Sequence, residues 1–327
     1  MRIARIRRES QGTFYHVMNR AAGTRADRPF GDREREYFVR LIQRLSTLYT
    51  VEIVSYCVMS NHFHLVLFSP SELPTIEDTV TRYNSYYEGK KSIEEDAPEI
   101  EIVRARLRDM SCFLKDLQQL FTGWYNKSRS IRRRGSLWAD RFKSVMLDGE
   151  TALWSCIKYV ELNAVRAGIV EDPADYRFCS WGVWAQSGKH PFGKAFFRHV
   201  RRSCGSRAKE WSLRRLQSEL RADMARTIAA ESGASGEEIR EAHEAALKRP
   251  PLVLQATRRL RYWNDGAVIG SKLFVQGIAA ELYGSERAAK RRYGKGLLPE
   301  TATAIFSLRC LRGELLGSPQ EQARSVP

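Results

Sequence analysis

Two short spacings in this chain bring together side chains that can handle phosphate. His62 and His64 are separated by one apolar residue, Phe63, inside the β-rich run His62-Phe63-His64-Leu65-Val66-Leu67-Phe68. Side chains alternate on an extended segment, so both imidazoles face the same way and can share one cation. The bland alternative is a pair of ordinary strand histidines. Tyr159 and Asn163 stand four apart in a helical pattern, one turn above each other, which leaves Leu153, Trp154, Ile157 and Val160 for the interior. Their own bland alternative is a Tyr and an Asn at a helix edge. A phenol with a pKa of about 10 attacks phosphate only when it is activated or when a cation offsets the phosphate charge. Two neutral imidazoles and one amide oxygen leave coordination positions for phosphate oxygens. This mixed N/O set suits Mg²⁺ or Mn²⁺, with Mn²⁺ matching imidazole better. Together, His62, His64, Asn163 and Tyr159 describe a candidate metal-assisted phosphoryl-transfer site.

The flanking sequence supplies elements to position these groups. Residues 12 to 19 (GTFYHVMN) read as a strand with bulky residues on both faces, hence a central one. From Asp32, a plausible N-cap, the positions Phe38, Leu41, Ile42, Leu45 and Leu48 trace an amphipathic helix. Residues 51 to 59 and 62 to 68 form two strands joined at Ser60-Asn61, a hairpin signature. Residues 70 to 101 change character and read as an insertion, helical around Thr79 to Tyr87. A helix over Leu107 to Trp124, a fourth strand over Ser136 to Leu147, and a helix from Glu150 to about Val165 stopped by Gly168 complete the pattern. The order β-α-β-β-α-β-α predicts an α+β fold, a ferredoxin-like four-stranded antiparallel sheet with helices on one face plus the helix carrying Tyr159. That catalytic domain is expected over 1–185. Residues 186–327 read as a basic, mainly helical C-terminal extension, with Arg258-Arg259 and Lys290-Arg291-Arg292 as a candidate auxiliary DNA grip.

Composition narrows the partner. Fifty-four Lys and Arg against 38 Asp and Glu leave a formal charge of +16, which favours nucleic acid and demotes small-molecule metabolism. No apolar run approaches the roughly 18 residues of a membrane span, and no signal core follows the basic N-terminus. The expectation is therefore a cytoplasmic, nucleoid-associated protein with no membrane partner. Six scattered cysteines form no C-x-x-C pair, so neither a disulfide framework nor a zinc knuckle is expected.

Four ordered segments, Tyr15-His16-Val17-Met18-Asn19-Arg20, residues 56 to 67 (YCVMSNHFHLVL), residues 135 to 144 (GSLWADRFKS) and residues 159 to 168 (YVELNAVRAG), resemble the REP-associated tyrosine transposases. These are single-strand transposases with a His-hydrophobic-His motif and one catalytic tyrosine. The match spans roughly residues 10 to 182. It implies a metal-dependent DNA strand transferase acting on single-stranded or hairpin DNA near repeated extragenic palindromes. His62 and His64 match the family's metal pair, Tyr159 its nucleophile and Asn163 the polar ligand one turn later. The implied reaction is in-line attack by Tyr159, a 5′-phosphotyrosine link, a freed 3′-hydroxyl and later rejoining. Two departures stand out: Ala164 occupies a position where the family often has Pro, and the 70–101 insertion is longer than expected.

Candidate DNA contacts are Arg132, Arg133 and Arg134, then Arg141 and Lys143 alternating on the fourth strand, Asn19 and Arg20 at the end of the first, and Arg166 near the end of the Tyr159 helix, where it also suits the helix dipole. Tyr125 is a rival nucleophile, but it has Arg129 rather than Asn at i+4. Three other readings stay open: a non-catalytic hairpin-DNA-binding regulator, a metal-dependent nuclease without a covalent intermediate, and an RNA-binding module. Target sequence, mobility, and the choice between monomer and homodimer are not legible.

Overall fold

The computed structural model describes residues 12–24, 26–203, 210–247, 266–285 and 306–309. Its centre is a six-stranded, mostly antiparallel sheet with the order β2-β3-β1-β4-β5-β6. The strands are β1 (Thr13–Arg20), β2 (Glu52–Val58), β3 (His62–Ser69), β4 (Lys143–Leu147), β5 (Gly266–Gly270) and β6 (Phe306–Arg309). The expected four-stranded ferredoxin-like sheet is therefore incomplete. β5 joins the free edge of β4 in parallel, pairing Met146 with Val268 and Leu147 with Ile269, and β6 closes antiparallel on β5. The short apolar run Gly266-Ala267-Val268-Ile269-Gly270 fits this place, buried inside a sheet rather than in an appended unit.

The helices are α1 (Asp32–Leu48), α2 (Ile76–Tyr87), α3 (Ile100–Arg108), α4 (Met110–Lys127), α5 (Thr151–Glu161), α6 (Asn163–Arg166), α7 (Ser180–Ser187), α8 (Gly193–Ser203), α9 (Leu213–Glu231), α10 (Gly236–Leu247) and α11 (Lys272–Tyr283). They cover both faces of the sheet, not one. On one face Phe38 of α1 meets Phe63 of β3 at 4.8 Å between ring centroids, and Phe121 of α4 packs on Phe38 at 4.9 Å. On the other face, Tyr159 of α5 lies against His64, which stands at the next position of β3 and so points the opposite way. β1 is buried at His16 and Val17 alike, as a strand covered on both sides must be.

Several boundaries move for local reasons. The long helix expected from Leu107 is two helices, because the Asp109 side chain accepts from Ser111 N and Cys112 N and starts α4 afresh. β4 begins at Lys143 rather than Ser136; residues 136 to 142 form a loop with one bridge from Trp138 to Ala21. The Tyr159 helix breaks at Leu162. There the Asn163 side-chain amide donates to the carbonyls of Tyr159 (2.9 Å) and Val160 (3.2 Å), competing with the backbone ladder. Gly168, at φ +66°, ends the short α6 as expected.

Beyond residue 185, α9 packs along α5. Lys158 donates to Asp223 at 2.8 Å, Trp154 Nε1 donates to the same carboxylate, and Arg166 forms a two-pronged pair with Glu231 at 3.0 and 2.7 Å. Burial lowers the Lys158 pKa; it would raise that of Asp223, but Lys158 beside it pulls the carboxyl down instead. The basic stretches 258–259 and 290–292 lie outside the described residues.

Candidate functional site

Cross-strand register assembles the site on the sheet face beneath α5. Met18 of β1 lies opposite both His64 of β3 and Lys143 of β4, and Arg20 lies opposite His62. Directly opposed residues share a face, so His62, His64, Arg20 and Lys143 all belong to this one. His16, two residues before Met18, is a diagonal neighbour of His64 on the same face. Its Nε2 lies 2.9 Å from His64 Nδ1, with the rings stacked at 8° and both side chains buried.

Hydrogen bonding accounts for one nitrogen of each imidazole. Asn61 Nδ2 donates to the Asp27 carbonyl at 2.8 Å, which turns Asn61 Oδ1 toward His62 Nδ1 at 2.7 Å. An amide oxygen only accepts, so His62 carries its proton on Nδ1 and its lone pair on Nε2. His64 Nδ1 is engaged by His16, which likewise leaves Nε2 as its ligand atom. The two ring centroids are 5.0 Å apart at 86°. Two imidazoles bound through Nε2 at about 2.1 Å, with an angle of 90–110° at the cation, would place their centroids about 4.5–5.3 Å apart. The pair fits a shared divalent cation by donor chemistry and by spacing. Burial, and then the neighbouring His62, His16 and Arg166, hold His64 well below the usual imidazole pKa, so it is the neutral form a metal needs. Among the described residues no group of three or more His, Cys, Asp or Glu has metal-site geometry.

Tyr159 reaches this cluster from α5. Its ring sits edge-on to His16 and His64, 5.7 Å from each, and is 5% exposed. The guanidinium of Arg166 lies 5.0 Å from the ring centroid and donates to the Tyr159 carbonyl at 2.8 Å. Asn163, at the start of α6, donates its amide back to the Tyr159 and Val160 carbonyls of α5 rather than to either histidine. Glu161, which plays no part in the sequence expectation, anchors this segment. It is 1% exposed and accepts from Ser55 Oγ of β2 at 2.7 Å, from Trp181 N at 2.9 Å and from Ser180 Oγ. Burial raises its pKa, and the donors at the start of α7 partly offset that rise.

The expected DNA contacts separate into two groups. Arg132, Arg134, Arg141 and Lys143 are exposed. Arg141 precedes β4 rather than alternating with Lys143 on it, because the strand starts two residues later. Arg133 is half-buried and donates to Asn126 Oδ1 and Ser136 O. Asn19 is 5% exposed and ties β1 to the Asp140 carbonyl, while half-buried Arg20 donates to Thr24 O. Arg166 is corrected outright as a surface contact: its side chain is 4% exposed, held by Glu231 and stacked on Tyr159. Tyr125 sits on the opposite side of the sheet, enclosed by Phe30, Phe121 and Arg129, away from the histidines.

No protein-family model matches the chain, and no curated protein sequence matches it. A search of solved structures finds similarity to a REP-associated tyrosine transposase bound to a REP hairpin, at 14% identity, covering 57% of this chain and 86% of that one with a TM-score of 0.39. No helix among the described residues is long and apolar enough to cross a membrane.

Proposed function

We propose that this protein cleaves and rejoins single-stranded or hairpin DNA through a covalent tyrosine intermediate, as a REP-associated tyrosine transposase does. The observation that carries the reading is the meeting of Tyr159 with His64 across the α5–β3 interface, beside a His62–His64 pair oriented through Nε2. The motif resemblance across residues 10 to 182 points the same way.

In this mechanism His62 and His64, with Asn163, would hold Mg²⁺ or Mn²⁺, and Tyr159 Oη is the nucleophile. A bound divalent cation offsets charge on the scissile phosphate and polarises its P–O bonds. Lys143 and Arg20, on the same sheet face, with exposed Arg132, Arg134 and Arg141 beyond them, attract the strand. As Tyr159 Oη bonds to phosphorus, the bond to the 3′-oxygen breaks, giving a 5′-phosphotyrosine and a 3′-hydroxyl. A later 3′-hydroxyl attacks phosphorus, Tyr159 leaves, and the phosphodiester is restored without ATP because its energy stayed in the covalent link. Arg166 and Glu161 hold the nucleophile's helix in place.

The test is incubation of purified protein with labelled single-stranded hairpin oligonucleotides and Mn²⁺, followed by denaturing electrophoresis. The expected result is a protein–DNA adduct lost in Tyr159→Phe and in EDTA. Metal-dependent cutting without an adduct would instead mark a nuclease, and tight binding with neither would mark a DNA-binding regulator.

A further inference from the structure

On the sheet face away from the histidines, α1 carries a second set of cations. Arg33, Tyr37, Arg40 and Arg44 fall at i, i+4, i+7 and i+11, one flank of the helix and about 16 Å of its length. Aromatic rings alternate with these charges. Arg33 lies 5.5 Å from the Trp124 ring, which stacks on Tyr37 at 3.9 Å and 8°; Arg44 lies 4.8 Å from Tyr86. Past α2, Glu88 and Gly89 both adopt left-handed backbone, with φ of 47° and 77°. They bend the chain back so that Lys91 stands 5.3 Å from the Tyr87 ring. A concavity of about 300 Å³ opens here, lined by Arg44, Tyr86, Tyr87, Glu88 and Lys90.

The acids around this stripe are mostly engaged elsewhere. Asp32 and Glu36 bind Arg177, Glu34 binds Arg129, Asp78 binds Arg82, and Asp116 binds Arg106 and Tyr49. Exposed Glu88 is the acid left on the rim of the concavity. Among the described residues no carboxylate pairs with Arg33, Arg40, Arg44, Lys90 or Lys91, and all five are exposed. A merely solvated helix face tends to pair opposite charges at i+3 or i+4, as Arg35 does with Asp32 on this same helix. Unpaired cations interleaved with aromatic faces are the chemistry of single-stranded nucleic acid, whose phosphates take the charges and whose bases take the rings.

We propose that the α1–α2 surface is a second single-stranded nucleic-acid track, with the Tyr86–Tyr87 concavity as a base-stacking position, separate from the site under α5. The 70–101 insertion supplies half of it. This inference stands apart from the Tyr159 reading, because binding here needs neither metal nor cleavage.

The experiment measures fluorescence anisotropy of a labelled oligo-dT of about 12 nucleotides, within the site size of single-strand binders, at about 0.15 M salt. Against wild type, the triple variant R33S/R40S/R44S is expected to bind about tenfold more weakly, with a salt slope lower by about 2, at about 0.7 per lost phosphate contact. Y86A/Y87A is expected to lose about five- to a hundredfold. An oligo-dT carrying 5-iodouracil should photocross-link to Tyr86 or Tyr87 in wild-type protein, a readout that no folding defect of a variant can mimic. Failure of wild type to bind, unchanged affinity and slope in folded variants, cross-links confined to the His62 face, or displacement of the oligonucleotide by phosphatidylglycerol vesicles would each overturn the proposal.

Discussion

His16→Phe tests how the metal pair is oriented. The structure places His16 Nε2 2.9 Å from His64 Nδ1 inside a buried stack. If His64 is to offer Nε2 to a cation, its Nδ1 must carry the proton and His16 must accept it. Phenylalanine keeps an aromatic ring but accepts no hydrogen bond. His64 then either buries an unsatisfied Nδ1–H, at about 1–3 kcal/mol, or moves the proton to Nε2 and stops being a ligand. Both routes tax cation binding, and 1–3 kcal/mol corresponds to about five- to 150-fold in affinity, in line with the tenfold to hundredfold typical of such supporting bonds. The assay is titration of free Mn²⁺ by its electron paramagnetic resonance signal, read beside a thermal melt that checks folding. The expected outcome is a Kd for Mn²⁺ raised tenfold to hundredfold in His16→Phe and largely restored in His16→Gln, whose amide oxygen accepts. An unchanged Kd in folded His16→Phe refutes the assignment. No Mn²⁺ binding by wild type refutes the metal site itself.

The supporting elements give further expectations. Glu161→Ala removes the acceptor shared by Ser55, Ser180 and Trp181 N and leaves a buried void, so urea denaturation should show a loss of about 2–4 kcal/mol, with Glu161→Gln losing less. Lys158→Met removes one of three donors to the Asp223 carboxylate, leaving Arg226 and Trp154 Nε1, and should cost about 1–3 kcal/mol by urea denaturation; losses of Lys158→Met and Asp223→Asn that simply add in the double variant would show that the pair does not couple. His190 lies flat on Phe196 at 4.2 Å, its Nδ1 accepts from Phe192 N, and burial lowers its pKa to about 3. The unfolded chain, with a histidine pKa of about 6.5, takes up that proton first, so stability is full above this value and falls with pH toward 3, by about 2–3 kcal/mol between pH 6.5 and 4.5. His190→Asn, which keeps an acceptor at the Nδ1 position and does not titrate, should flatten that limb.

Much of the site was legible because its parts are local. The period-2 spacing of His62 and His64 is a property of one strand, which exists where the pattern puts it; Tyr159 also lies on its expected helix, but that helix breaks at Leu162 and Asn163 starts the next one. What sequence could not supply was register between elements distant in the chain. His16 looks like one more residue of a mixed strand until β1 pairs with β3 and sets it diagonally across from His64. Its one sequence signal was a histidine at an alternating position of a strand with no solvent face. Glu161 likewise reads as an ordinary helix surface charge; burial comes from the arrival of α7 and β2, neither of which its local pattern encodes. The fold was missed at the same kind of place, since the β4–β5 contact joins Met146 to Val268 across more than a hundred residues.

That non-local pairing changes how the C-terminal part acts. An appended DNA grip would leave the chemistry untouched if it were lost, but here residues past 186 complete the sheet and brace α5 from outside. Lys158–Asp223 lies one residue before Tyr159 and Arg166–Glu231 seven after it, both to α9. Arg166 cannot serve phosphate while Glu231 holds it; its guanidinium is instead a fixed positive wall over the Tyr159 ring. α9 is thereby coupled through Lys158 and Arg166 to both flanks of Tyr159.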